Sequence, residues 1–432
     1  MLKYLQQIWN SKDLRSKIIF TFGIIIIVRL LGQVSLPGAN IEAIKTLFAQ
    51  NQLLGMFSLL SGGGAENFSI ILLGLSPYIN ASIIIQLLTV IIPSLENISK
   101  EGDQGRKKLN QYTRILSIPL AFIQSYGMIL LLNSQSPVPI IENIGQANVI
   151  LPIMVTVTAG CALIMWLGEL ITERGIGNGI SILIFTGIIA EIPQTIAQNL
   201  ALAQGSSDRM IPFVIMVLIT LILTVLVILV TEAERRIPII YASRGLKSKG
   251  EKSNLPIRIN QAGMVPIIFA VSVVSFPGII AQFLARSTSP QLITAADFIN
   301  SNFNQNSIGY SIFYFLLVIA FTFFYVSITF NPEQVAENIQ KRGGYIPGIR
   351  PGKQTAEHLA KISNRLNLFG GLFIGIIAIS PNLIQTLAAS LNLGGISIII
   401  SGAGMIIVVG VVLELIRQIN AQLVMHDYNK LY

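Results

Sequence analysis

The side chains of this chain able to do covalent or metal chemistry are few and scattered. His358 and His426 are its two histidines, and they lie in separate polar segments. No metal-ligand spacing results. Cys161 is the one cysteine, set in an apolar run, so disulfides are excluded and nothing about redox follows. Gly175-Ile176-Gly177-Asn178-Gly179 is glycine-rich, but no strand pattern precedes it and no Gly-Lys-Ser/Thr follows, so a phosphate cradle lacks its context. There is no Ser/His/Asp set and no plausible carboxylate pair. The apolar segments also hold almost none of the carboxylates, histidines and arginines that ion-coupled transporters bury near the bilayer midplane. These residues predict passage rather than catalysis: no enzyme, no cofactor and no metal.

One stretch stands out, Met56 to Leu88, MFSLLSGGGAENFSIILLGLSPYINASIIIQLL. From Ser69 on it is apolar enough for a membrane helix. Its first half is too short and too broken to cross anything. Gly62, Gly63 and Gly64 each cost roughly 1 kcal/mol relative to Ala in a helix, and Glu66 and Asn67 are polar groups that hydrocarbon tolerates only with partners or water. Pro77 removes a hydrogen bond and kinks a helix unless it sits in the first turn. Irregular backbone at membrane depth survives only where protein or a water-filled cavity surrounds it. The pattern fits a short re-entrant piece followed by a helix starting near Gly74. It fits equally an apolar outer loop followed by an ordinary helix.

The elements that must carry this stretch are membrane spans. The chain has 432 residues, 52% hydrophobic and 11% charged, against roughly 25% charged in a soluble protein. At about 20 apolar residues per span, ten segments qualify: about 18–36, 70–92, 115–133, 149–167, 179–197, 211–231, 263–285, 310–330, 366–388 and 396–414. The last two come from one uncharged stretch, Leu366–Leu413, divided at Pro381-Asn382 and Gly394-Gly395. Of the 29 basic residues, all but Arg29, Lys45, Arg209 and Arg286 fall on one side of this topology. The positive-inside rule then puts both termini in the cytoplasm. No small-residue cleavage site follows the first segment, so it is expected to stay as a span. Arg29, near that segment's outer end, is expected to snorkel to the interface.

Two cytoplasmic loops, 232–262 and 331–365, exceed what a connector needs. The first holds an extended-looking RIPIIYAS run and a basic tip; the second holds a short helical piece and a Gly/Pro-punctuated turn at Arg350. Long loops often carry function, and basic inner loops also arise from topology alone.

Four segments together resemble the SecY family, the channel subunits of Sec protein translocation. They are SPYINASIIIQLLTVIIPSLENISKEGDQGRKKLNQYTR at 76–114, MWLGELITERGIGNGISILIF at 165–185, NQAGMVPIIFA at 260–270 and NPEQVAENIQKRGGYIPGIRPGKQTA at 331–356. The resemblance runs end to end. It implies an all-α polytopic membrane protein, ten transmembrane helices in two pseudo-symmetric five-helix halves, 1–205 and 206–432, around an hourglass pore. A re-entrant plug over about 57–69 maps onto Phe57, Ser61, Gly62, Gly63, Gly64, Glu66 and Asn67. Leu75, Ile79, Ile180, Ile184, Ile268 and Ile400 match the pore ring, and Asn80, Gln124 and Asn260 match the lateral gate. Arg235, Arg236, Arg244, Lys247, Lys249 and Arg350 match the surface that docks the ribosome or the SecA motor.

The implied partners are SecE and SecG, SecA, the ribosome, signal sequences and nascent chains, and the lipid bilayer. The implied site of action is a bacterial-type inner (plasma) membrane, where the channel would pass unfolded polypeptides across and release apolar segments sideways. A small-solute transporter of inverted-repeat architecture is the rival reading, and the carboxylate-poor spans speak against it. This sequence departs from the common family pattern at Glu66 in GGGAEN and at Asn80, where a small hydroxyl residue is frequent.

Overall fold

The computed structural model describes residues 9, 11–50, 67–136, 138–141, 144–204, 207–241, 251–274, 276–284, 289–303, 307–390 and 400–430. Lys12–Leu31 is α1 and Ile41–Gln50 is the short α2. Turns over 67–75 lead into α3, Ser76–Ile91, and α4, Pro93–Lys100. Four long helices follow: α5 (Asp103–Gln135), α6 (Ala147–Arg174), α7 (Gly179–Gln204) and α8 (Ser207–Glu232). A hairpin of β1 (Glu234–Tyr241) and β2 (Glu251–Arg258) precedes α9 (Val265–Val274), α10 (Phe276–Leu284) and α11 (Pro290–Asn302). The chain ends with α12 (Ile308–Thr329), α13 (Pro332–Lys341), β3 (Gly344–Tyr345), α14 (Lys353–Ser390) and α15 (Gly402–Lys430).

Among the described residues, seven helical stretches are long and apolar enough to cross a bilayer, or eight if α3 and α4, bent by 102°, form one broken span. Among the described residues each of the ten segments read from sequence overlaps a helix, and the shortfall has local causes. In α1, Lys12, Asp13, Arg15, Lys17 and Arg29 leave too short an uncharged run. The segment read over 263–285 holds a shorter apolar helix, Val265–Gly278, below the length that a span needs. A proline in the first turn of a helix loses no helical hydrogen bond.

Pro77 obeys the same rule. It occupies the first turn of α3, which begins at Ser76, two residues beyond the expected Gly74. The bend to α4 comes at Ile92, where the extended backbone that precedes Pro93 ends the helix.

The chain divides into two compact units: residues 1–202, 275–305 and 411–432 in the first, 203–274 and 306–410 in the second. In the first unit α1 packs on α6, α3 on α5, α5 on α6 and α10 on α11. One of its apolar clusters gathers Phe68, Leu72 and Leu73 from the turns with Leu132, Val157 and Cys161 from α5 and α6. In the second unit α12 packs against α9 and α14, and α13 against α14. The same unit holds a feature that the helical pattern did not predict, an antiparallel sheet in the order β2-β1-β3.

Close approach of backbones positions the turns. A Cβ at Gly160 on α6 would overlap the Ile70 carbonyl oxygen, whereas one at Gly23 on α1 would meet nothing within 4 Å. Replacing Gly160 with Ala is therefore expected to cost about 1–3 kcal/mol through overpacking, seen as a lower Tm in detergent. Gly23→Ala should hold or slightly raise Tm, because alanine favours a helix interior. Equal Tm values for the two variants would refute the close contact.

Candidate functional site

The turn segment 67–75 is built by hydrogen bonds to the stretch after α1. Ser69 bridges Ser35, Leu36 N–H donates to the Phe68 carbonyl at 2.9 Å, and Ile70 N–H donates to the Val34 carbonyl at 3.0 Å. Asn67 Nδ2 donates to the Gly32 carbonyl at 3.3 Å and to Gln33 Oε1 at 3.4 Å. Phe68 is fully buried with φ at +45°, a conformation a bulky residue adopts only under constraint from its surroundings. Of the expected plug, Asn67 is thus tied to the end of α1. Phe57, Ser61, Gly62, Gly63, Gly64 and Glu66 lie outside the described residues.

The candidate ring residues fall on both units. In the first, Leu75 and Ile79 are one helical turn apart at the start of α3, both 4% exposed. Ile180 and Ile184 repeat that spacing at the start of α7, Ile180 half-buried and Ile184 buried. In the second, Ile268 is buried in α9 and Ile400, just before α15, is half-buried. The i, i+4 spacing puts each helical pair on one face.

Of the candidate gate residues, Asn80 on α3 and Gln124 on α5 are half-buried on two helices that pack together. Asn260, in the second unit, is buried, and its Oδ1 accepts the Gly263 N–H at 2.9 Å. That bond closes the turn leading into α9.

The candidate docking residues sit on the sheet module. Arg235 and Arg236 are exposed on β1, Arg236 pairing with Glu234 at 2.8 Å. Arg350 is exposed in the turn before α14, and its carbonyl accepts Thr355 Oγ1 at 2.9 Å. Arg244, Lys247 and Lys249 lie outside the described residues.

Sequence reasoning took the two long loops separately, and the structure joins them. β1 pairs with β2 over its whole length and with β3 at Ile240–Tyr345 and Tyr241–Gly344. Ile237, Ile239 and Ile257 pack against Ile339, Ile346 and Leu359. The inward alternation of Ile237 and Ile239 in RIPIIY was the available signal, a period of two within a helical protein.

Two further polar contacts were not foreseen. Arg114 on α5 pairs with Glu169 on α6. Arg29 was expected to snorkel outward. Its guanidinium instead donates to the Thr186 carbonyl on α7.

The SecY family model matches residues 69–416. The chain belongs to the SecY family. A protein translocase subunit SecY from Streptomyces scabiei is 40% identical, over 99% of both chains. Among solved structures, a SecY channel whose plug domain stabilises the closed state and maintains a membrane seal aligns with a TM-score of 0.66. It is 19% identical and covers 94% of this chain and 92% of its own. Sec61 in the canine ribosome–channel complex from the endoplasmic reticulum aligns with a TM-score of 0.60 at 16% identity, covering 94% and 92%.

In the sheet module a Cβ at Gly344 would stand 2.7 Å from the Tyr241 ring. Gly344→Val should part β3 from β1, raising amide hydrogen exchange at 344–345 by about tenfold or more, the factor for 1.4 kcal/mol. The β1–β2 hairpin, with its eight-residue register, should stay protected. Unchanged exchange at 344–345 would show that the two loops are not joined through this contact.

Proposed function

We propose that the chain is a protein-conducting channel, passing unfolded polypeptides through a membrane and releasing apolar segments sideways into lipid. Membership of the SecY family carries this reading, since the likeness to a translocase subunit spans 99% of both chains. In the proposal the chain spans the membrane ten times, in halves 1–205 and 206–432, with both termini in the cytoplasm of a bacterial-type cell. It hydrolyses nothing itself.

Leu75, Ile79, Ile180, Ile184, Ile268 and Ile400 form the waist. Branched apolar side chains dewet a constriction and so block ions. They also offer a sliding polypeptide no fixed hydrogen-bond partner, so no sequence meets a deep trap. The segment 57–69, ending in the Asn67 tether, stoppers the outer funnel. Asn80, Gln124 and Asn260 line the sideways exit. Interhelical polar contacts of this kind are worth about 0.6–2 kcal/mol each, weak enough for an apolar signal sequence to displace by partitioning into lipid.

Arg235, Arg236, Arg244, Lys247, Lys249 and Arg350 dock the ribosome or the SecA motor, which supplies the energy. SecE and SecG are the proposed small partner subunits. The ribosome-bound state of the aligned Sec61 structure supports the docking role.

Ile268→Asn should hydrate the waist and raise ion leak through the closed channel in planar bilayers; unchanged leak would remove Ile268 from the ring. In a Cys161→Ala background, single cysteines at Ile180 or Ile400 should cross-link to a stalled secretory chain carrying a cysteine. A cysteine replacing the exposed Leu221 of α8 should not. Equal cross-linking at all three positions would overturn the assignment of the path.

A further inference from the structure

We propose that α1 acts as a two-point splint on the first turns of α7, with Thr21 holding one point and Arg29 the other. The inference rests on the reading of Ile180 and Ile184 as waist residues, because those turns carry both.

The first point is the Gly175–Gly179 loop, where sequence analysis found no phosphate context. Thr21 is buried on α1; its Oγ1 donates to the Lys17 carbonyl at 2.9 Å and accepts the Ile176 N–H at 3.2 Å. Gly177 has φ at +83°, and a Cβ there would stand 2.8 Å from Leu415 of α15. Ile176 itself packs with Leu14 and Leu423.

The start of α7 is equally committed. Gly179 N–H donates to Thr172 Oγ1 at 2.9 Å, and Ile180 and Ser181 N–H donate to Asn178 Oδ1 at 3.1 and 3.3 Å. Ile182 N–H donates to the Asn178 carbonyl at 3.0 Å. The first four amides of α7 therefore have partners, and the helix end presents none of them to an anion. A Cβ at Gly179 would overlap the Gly168 carbonyl of α6, so the two backbones are in contact.

The second point lies eight residues along α1, a rise of about 12 Å. There the Arg29 guanidinium donates to the Thr186 carbonyl, and Glu191 adds opposite charge from the same helix. A carbonyl oxygen has two lone pairs, so Thr186 can serve its own helix and Arg29 together. An arginine among membrane spans is costly unless it is partnered, and this one donates to α7. Ile180 and Ile184 lie between the tethered Ile176 N–H and Thr186 carbonyl. The backbone that carries both side chains is thus tied to α1 at either end.

The test uses the full-length chain reconstituted in planar bilayers and, in parallel, a Cys161→Ala, Ile184→Cys version probed with a membrane-impermeant thiol reagent. Thr21→Val keeps the shape and removes the acceptor; Arg29→Met keeps the length and removes the donors. Each should raise closed-channel ion leak and the labelling rate at position 184 by about threefold to thirtyfold, the range of one interhelical hydrogen bond. Thr21→Ser and Arg29→Lys should stay near the parent. A cysteine replacing the buried Ile164 of α6 should label no faster in any variant, which separates a local shift from general loosening. If Ile184→Asn leaks while Thr21→Val and Arg29→Met match the parent in leak and labelling, the splint is overturned and the waist stands. If Ile184→Asn does not leak, the waist reading fails, and labelling at 184 decides: faster in both variants upholds the splint, unchanged overturns it.

Discussion

A peptide backbone surrounded by hydrocarbon must find its hydrogen-bond partners inside the protein, and each one missed costs several kcal/mol. Nowhere is that constraint sharper here than in the turns over 67–75. They are neither helix nor part of a ladder, yet Leu72, Gly74 and Ser76 donate N–H bonds to Ser69, Ile71 and Leu73, closing one small turn after another. The bonds to Val34 and Leu36 then fasten this chain of turns to the segment after α1. With its backbone satisfied, the segment can end in a helix that starts partway along a span. A continuous helix would have filled that length, leaving no room for the proposed stopper.

Different forces hold the remaining parts. Between spans there is no hydrophobic gain, since lipid is as apolar as a leucine side chain, so association depends on close packing and polar contacts. The contacts at Gly160–Ile70 and Gly179–Gly168 and the Arg29–Thr186 bond are of that kind. In the proposed topology the sheet module has water around it instead. Burying Ile237, Ile239, Ile257 or Leu359 there contributes about 1.5–3 kcal/mol each, enough to join two loops that lie far apart in sequence. A span interface therefore yields to a polar substitution or an added methyl group, and the module to the loss of apolar volume.

How much of this could be read in the sequence follows from the range of each interaction. Pro77 restricts its own turn, so the start of α3 was legible to within two residues. The apolar runs were legible because a bilayer imposes length. The charges of α1 show where length alone misleads: the segment is helical, yet it makes no long uncharged helix. The β1–β3 pairing was not legible. It joins Tyr241 to Gly344 across roughly a hundred residues, and a two-residue strand leaves no periodicity. Arg29 was misread for a related reason. Snorkelling is the default for an arginine near a helix end, and only the path of α7 beside α1 offers it a nearer oxygen. The ring positions came from motif resemblance, since isoleucine serves packing and a waist equally well.

A conduit for arbitrary polypeptides faces a demand opposite to that of an enzyme. An unpaired polar group along its path would hold each passing amide, and a hydrogen bond made away from water is worth several kcal/mol. Asn67, Asn178 and Asn260 each have a side-chain atom committed nearby: Asn67 donates to the end of α1, Asn178 accepts from the start of α7, and Asn260 accepts from Gly263. Each also shapes the backbone beside a candidate ring or plug residue. In the proposed path the same bonds that fix local geometry therefore withdraw polar atoms from a passing chain, and the branched apolar surface left to meet it has shape but little hold.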